Sequence, residues 1–377
     1  MGTPGDIGIV TPVQLRFDDV LTLTSGKTLS GFELTLESYG VLNEDRSNAV
    51  LVCHALSGNH HAAGRHTPAD RKAGWWDLHI GPGKAIDTDR FHVVCINNIG
   101  GCDGSSGPNT SNPETGEVWG PEFPQVTVED WVHTQVLLAD RLGIDIWAAV
   151  VGGSLGGMQA LYWATQYPDR VRNCVAMAAA PWLTAQNIAF NEIARQAILA
   201  DPDWLSGQYQ RQSATPTRGL SLARMVGHLT YMSADGMSDR FGRDVRDRPL
   251  DAADDQETVF QVESYLRYQG QQFSTRFDAN TYLLMTRALD RFDITAGFGG
   301  SLKAAMAATR SRMLIVSFSS DWRFSPARSR ELVDALLAAD RPVTYAEIQT
   351  DAGHDAFLLD EPGYTDLFQA WMARVAI

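Results

Sequence analysis

The residues best suited to chemistry lie in Gly152-Gly153-Ser154-Leu155-Gly156, inside the stretch WAAVVGGSLGGMQ (147–159). An apolar run precedes this motif and a helical pattern follows it. In that setting G-x-S-x-G reads as a sharp strand-to-helix turn that lifts the Ser154 hydroxyl above a sheet, at a helix N-terminus. Such a serine is a nucleophile if a base takes its proton and an acid orients the base. The chain order for this arrangement is serine, acid, histidine. Beyond Ser154 the sequence holds only His228 and His354. His228 falls inside a helical pattern. His354 follows Gly353 directly after the last strand-like run, which makes it the expected base. Asp321 ends the preceding strand-like run and is the expected orienting acid, whereas Asp293 and Asp340 follow no such run. Two backbone N–H groups must hold the oxyanion. Leu155, next to the nucleophile, offers one, and Leu56, in the loop after an early strand, is the candidate for the other. His60, His61 and His66 cluster in sequence but match no zinc-ligand spacing, so neither a metal nor a cofactor is expected.

These groups need a scaffold that brings distant segments together. Short apolar runs at Val50–His54, Val93–Ile96, Ile146–Val151, Val171–Met177, Met313–Phe318 and Val343–Ile348 read as strands buried on both faces. Helical periodicity spans Val128–Leu142, Leu155–Tyr167, Pro326–Ala339 and Tyr364–Val375. Strands alternating with helices predict an α/β fold with a mostly parallel central sheet flanked by helices. The middle of the chain differs. Between the runs at 171–177 and 313–318 only helix-like segments occur: Ala185–Leu199, Leu220–Met232, Thr258–Gln271 and Asn280–Leu289, with a charged link at Arg240–Glu257. This predicts a core of residues 1–182 and 309–377 and a helical lid insertion over 183–308, placed to close a substrate pocket.

Composition bounds the function. The 377 residues are 44% hydrophobic and 20% charged, as in globular proteins, with a net charge of −14. That charge argues against nucleic-acid or anionic-membrane partners and requires any anionic small substrate to meet a local cluster of arginines. No apolar run approaches the ~20 residues of a bilayer span, and the N-terminal residues do not read as a signal peptide. Cys53, Cys95, Cys102 and Cys174 lie in or beside apolar stretches without a C-x-x-C pair, which suits reduced thiols and a cytoplasmic location.

A triad specifies acyl transfer without naming the acceptor. Longer strings are more specific: HALSGNHHAAG (54–64), GWWD (74–77), GPGKAIDT (81–88), NNIGGCDGSSGP (97–108), GGSLGGMQAL (152–161), FQVESYLRYQG (260–270), FDANTYLLM (277–285), DWRFSPARSRELV (321–333) and GHDAFL (353–358). Over about residues 11–368 the chain resembles the homoserine O-acyltransferase family, which has the α/β-hydrolase fold and acts in methionine biosynthesis. The resemblance implies ping-pong transfer from an acyl-coenzyme A through Ser154 to the hydroxyl of L-homoserine. It also implies that Arg224 binds the substrate carboxylate, that Asp355 lies near its amino group, that Tyr231 borders the substrate, and that the protein is a homodimer formed through the lid. Arg323, two residues after Asp321, resembles the arginine of the succinyl-using members, so succinyl-CoA is the expected donor. A guanidinium suits a succinyl carboxylate, and an acetyl enzyme gains nothing from burying one. The alternatives are O-acetyl transfer to homoserine, O-acyl transfer to serine and, more distantly, an esterase-type hydrolase. An esterase would need neither Arg224 nor Asp355.

Overall fold

The computed structural model describes residues 5–245 and 260–377. In chain order its strands are β1 (Val13–Thr22), β2 (Thr28–Tyr39), β3 (Ala49–Cys53), the two-residue strands β4 (Ile80–Gly81) and β5 (Ile86–Asp87), β6 (His92–Ile96), β7 (Ala149–Gly153), β8 (Asn173–Met177), β9 (Arg312–Phe318) and β10 (Val343–Ile348). Eight of them form one sheet in the order β1-β2-β6-β3-β7-β8-β9-β10. β1 and β2 pair antiparallel, as do β2 and β6, and every later pairing is parallel.

The central strands are apolar at consecutive positions because both faces are covered. Leu51, Cys53, Val94, Ile96, Val150, Cys174, Ala176, Met313 and Ile315 enter one core with α1 (Val128–Leu142) and α2 (Leu155–Gln166). Their neighbours Val50, Val52, Val93, Cys95, Val151, Val175, Met177, Leu314 and Val316 enter a second core on the opposite face. Alternate side chains on a strand point to opposite faces, so one strand feeds both cores. α1 begins with a capping box in which Thr127 accepts from Asp130 N–H and the Asp130 side chain accepts from Thr127 N–H. It ends at Gly143 in the left-handed conformation.

Residues 183–308 contribute no strand to the sheet among the described residues. They hold α3 (Ala185–Leu199), α4 (Thr217–Tyr231), α5 (Ala234–Phe241), α6 (Gln261–Ser274), α7 (Ala279–Arg291) and α8 (Leu302–Ala308). After them come α9 (Pro326–Ala338) and α10 (Pro362–Met372). Three departures from the sequence reading have physical causes. The hairpin β1–β2 was not expected; β1 is mostly exposed at a sheet edge and carries little apolar signal. The strand expected from Ile146 begins at Ala149, with Trp147 making only an isolated bridge to Val171. The link expected from Arg240 begins inside α5, a short helix capped by Ser233; residues 246–257 of that link, and the start expected for α6 at Thr258, lie outside the described residues.

β7 and α2 meet at a crossing with no room for a side chain. A Cβ on Gly156 would lie 2.0 Å from the Cys53 carbonyl oxygen, and one on Gly152 would lie 2.3 Å from the Gly156 carbonyl carbon. Both obstacles are backbone. Gly156→Ala is therefore expected to destabilise the fold by roughly 1–3 kcal/mol or more, the range for overpacking. Gly363→Ala, in the exposed first turn of α10 with open space around it, is expected to gain up to about 1 kcal/mol. Denaturant melts of the two variants beside the parent check both signs.

Candidate active site

Ser154 sits between β7 and α2 with φ 56° and ψ −124°. This is a strained conformation for a residue with a side chain and is typical of a nucleophile held on a tight turn. Its N–H donates to the Met177 carbonyl at 2.9 Å, which ties the turn to the end of β8. Ser154 Oγ lies 2.8 Å from His354 Nε2, and His354 Nδ1 lies 2.7 Å from Asp321 Oδ2. All three residues are buried. Asp321 is also held from its own loop: Oδ1 accepts the N–H groups of Arg323 at 2.9 Å and Phe324 at 2.8 Å. With Nδ1–H committed to Asp321, Nε2 faces the serine as a base. The Phe324 ring stacks on the His354 ring at 5.0 Å and restrains it.

Leu155 N–H is the first amide of α2, and Leu56 N–H belongs to the loop after β3. Among the described residues neither amide donates to a protein acceptor. Buried His54 braces the Leu56 loop. Its Nδ1–H donates to the Ala55 carbonyl at 2.8 Å and its Nε2 accepts from Asn98 N–H at 3.1 Å. Burial pulls its pKa down to about 4 and keeps it neutral, as this donor–acceptor pair requires.

Arg224 and Tyr231 from residues 183–308, and Asp355 next to His354, flank the triad. Arg224, on α4, reaches Ser57 Oγ at 3.3 Å and packs over the rings of Phe273 and Tyr231. It forms no ion pair among the described residues. Tyr231, at the end of α4, lies 5.9 Å from the His354 ring and within 6 Å of both Arg224 and Arg323. Asp355 is half-buried with neither a hydrogen bond nor an ion pair among the described residues. Burial raises its pKa above the ordinary carboxylate range, partly offset by His354 and Arg224.

Arg323 is 7% exposed. Its guanidinium donates to Thr230 Oγ1 at 2.7 Å and to Asn191 Oδ1 at 3.1 Å, both neutral. The nearby carboxylate of Asp290 is taken by Arg195 at 2.6 Å, and Asn191 donates to its other oxygen at 2.7 Å. Asn191 is therefore a neutral spacer between Asp290 and Arg323. Neither Asn191 nor Thr230 was singled out from the sequence. Each is one polar residue on a helix, and only the position of Arg323 gives it meaning.

His60, His61 and His66 gather around Glu37, which the sequence reading also passed over. Donor atoms of Glu37, His60 and His66 lie within 4.8 Å of one another. Burial opposes the Glu37 charge, but hydrogen bonds from His61, His66 and Tyr39 outweigh it and hold its carboxyl below the ordinary range. The Tyr39 hydroxyl in turn accepts from the N–H groups of Ala62 and Ala63, so this network pins the loop that follows Leu56.

Comparison with known proteins gives these groups a context. A model of the α/β-hydrolase fold family matches residues 48–361. A homoserine O-succinyltransferase of Pseudomonas paraeruginosa is 60% identical over 371 residues, 98% of each chain. The crystal structure of a homoserine O-acetyltransferase from Bacillus anthracis superposes with a TM-score of 0.90 at 28% identity, covering 98% of this chain and 99% of its own. Esterase E22 superposes with a TM-score of 0.87, also at 28% identity, over 97% of this chain and all of its own. Transferase and esterase share the fold almost equally, so the fold does not decide between them.

Asp321→Asn would keep the shape but lose the charge that orients and stabilises the imidazolium. Labelling of Ser154 by a fluorophosphonate probe is expected to slow by about 10³–10⁴-fold in that variant and to vanish in Ser154→Ala. Labelling of Asp321→Asn at the parent rate would remove Asp321 from the triad.

Proposed function

From the chain's membership of the homoserine O-acyltransferase family of α/β-hydrolases, we infer its reaction: it transfers a succinyl group from succinyl-CoA to the hydroxyl of L-homoserine. It is an acyltransferase and serves methionine biosynthesis. In this reading His354 takes the Ser154 proton while Oγ attacks the thioester carbonyl. The N–H groups of Leu56 and Leu155 hold the oxyanion, and the imidazolium returns the proton to the departing coenzyme A sulfur. Homoserine then enters, His354 takes its hydroxyl proton, and the alkoxide attacks the acyl-serine. Ser154 recovers its proton as O-succinylhomoserine leaves.

A transferase must favour an amino acid over water. Arg224 and Asp355 supply a cation and an anion with no ion-pair partner among the described residues, matched to the carboxylate and ammonium of homoserine. Tyr231 lies between Arg224 and the triad. The observation that carries the donor assignment is Arg323: a buried guanidinium beside the triad whose partners are all neutral. Such a charge is costly unless an anion arrives, and the free carboxylate of a succinyl group is that anion. Acetyl has none.

The family reading extends to assembly and location. Leu222 and Leu229 are seven residues apart on α4 and about half exposed, and Tyr268 on α6 is 58% exposed. A lid-to-lid homodimer would cover them. No helix among the described residues is long and apolar enough to cross a membrane. Four free cysteines and a coenzyme A thioester as donor support a cytoplasmic enzyme.

Thiol release with homoserine and either donor tests the assignment. Succinyl-CoA is expected to be preferred, and Arg323→Leu is expected to lower the succinyl-to-acetyl ratio of kcat/KM by about 10²-fold or more. A native preference for acetyl-CoA would overturn the role of Arg323. Ester cleavage without acylhomoserine formation would favour the hydrolase.

A second test addresses Asp355. Asp355→Asn is expected to raise KM for homoserine by at least about tenfold, the scale of one charge-assisted contact. In the parent, KM for homoserine should climb as pH falls toward the raised pKa of Asp355, because the protonated acid no longer pairs with the ammonium. A flat KM across the acidic range would dissociate Asp355 from the substrate.

A further inference from the structure

Asn187, Asn191 and Arg195 are buried polar residues of α3 that recur at four-residue spacing and so share one face of the helix. Asn187 Nδ2 donates to the Arg323 carbonyl at 2.8 Å and holds the backbone of that residue. Asn191 stands between the Arg323 guanidinium, at 3.1 Å, and Asp290 on α7, at 2.7 Å. Arg195 pairs with the other oxygen of Asp290 at 2.6 Å, so the charge of Asp290 is already matched one step away from Arg323.

The direction of each bond in this row is forced. A guanidinium only donates and a carboxylate only accepts. An amide between them can stand only one way, with its N–H toward Asp290 and its oxygen toward Arg323. Thr230, the other partner of Arg323, is fixed in the same sense. Its hydroxyl donates to the Gly227 carbonyl at 2.9 Å, which leaves a lone pair for Arg323 Nη1. Both neighbours of the guanidinium are thus locked as neutral acceptors by groups behind them.

We propose that Asp290 is a positioning residue for the choice of acyl donor. Through the Asn191 amide it holds the Arg323 guanidinium by a hydrogen bond without giving it a counter-charge, and so leaves that charge for the acyl carboxylate. The inference rests on the succinyl-CoA reading above. It extends that reading to a residue two hydrogen bonds away from the guanidinium.

Relocating one charge tests it. In Asp290→Asn the new amide turns its oxygen to Arg195 and its N–H to Asn191. Asn191 must then turn its own oxygen toward position 290, and its N–H groups face the guanidinium. The succinyl-to-acetyl ratio of kcat/KM is expected to fall roughly tenfold, the scale of one hydrogen bond to a charged group. The double variant Asn191→Asp with Asp290→Asn restores every hydrogen bond in the row, because a carboxylate at 191 accepts both from Arg323 and from the amide at 290. It also gives Arg323 a counter-charge in contact, at unchanged net charge. Its ratio is expected to stay at or below that of Asp290→Asn, whereas a role limited to hydrogen bonding or packing would return it to the parent value. A ratio of two donors on one preparation cancels the fraction of folded protein. A parental ratio in Asp290→Asn would overturn the orienting role, and a parental ratio in the double variant would overturn the need for a neutral acceptor; either leaves succinyl transfer standing. A parent that prefers acetyl-CoA, or an Arg323→Leu variant with the parental ratio, would overturn the succinyl reading and this inference with it.

Discussion

Ser154 is held at φ 56° by a turn between a fully buried five-residue strand and a largely buried twelve-residue helix. A strained non-glycine backbone costs on the order of 1–3 kcal/mol and persists only where its surroundings over-determine it. Here they do. Gly156 lies against the end of β3 so closely that no Cβ fits, and Gly152 lies against Gly156. Because β3 and β7 are adjacent strands, the same approach sets the turn at Ser154 beside the start of the loop that holds Leu56. In the proposed reaction, nucleophile and oxyanion donors would thus be consequences of one backbone crossing. The histidine and the acid come from β9, β10 and the loops after them, at the carboxyl ends of parallel strands where such sheets place their sites.

Satisfied and unsatisfied polar groups divide the site by role. Asp321 accepts three hydrogen bonds, and His354 has a partner on each nitrogen. These groups are ready before any substrate arrives, which is what preorganised catalysis requires. Arg224, Asp355 and Arg323 are the opposite: charges partly or wholly removed from water and, among the described residues, in no ion pair. Leaving them so costs stability, and in the proposed reaction a zwitterion and an acyl carboxylate would fill the gaps. Asn191 sharpens the point. An aspartate there would pair with Arg323 and cancel its reading of an anion; an asparagine holds the guanidinium without neutralising it.

Much of this was legible in the sequence, and what was missed had physical reasons. The central strands showed because burial on two faces makes them apolar at every position. The triad showed because its members sit at fixed offsets from strand ends. The edge hairpin β1–β2 did not, since exposure dilutes its pattern. Glu37 was invisible for a related reason: it lies on β2, opposite Cys95 on β6, while its histidine partners are 23–29 residues later. Arg224 and Asp355 were read through family resemblance, not chemistry, because a lone arginine on a helix has no local signature. Asn191 and Thr230 needed the fold to bring α3 and α4 to the loop after β9.

Residues 183–308 are in direct contact with the loops that carry the triad. Gly353, at φ 73° immediately before the catalytic histidine, passes so close to α4 that a Cβ would lie 2.5 Å from the Tyr231 carbonyl oxygen. The Ser233 hydroxyl donates to the Asp351 carbonyl of the same loop, and Trp322 Nε1–H donates to the Met232 carbonyl at 3.0 Å. The end of α4 is thus fastened to the histidine loop on one side and the acid loop on the other. Arg224, Thr230 and Tyr231 all lie on that helix, so the groups that would read acceptor and donor keep a fixed register with Ser154. Precise placement of a second nucleophile over an acyl-serine raises its effective concentration far above that of a loosely held water. In the proposed reaction, these lid-to-loop contacts are what would let a hydrolase-type triad choose an amino-acid hydroxyl over water.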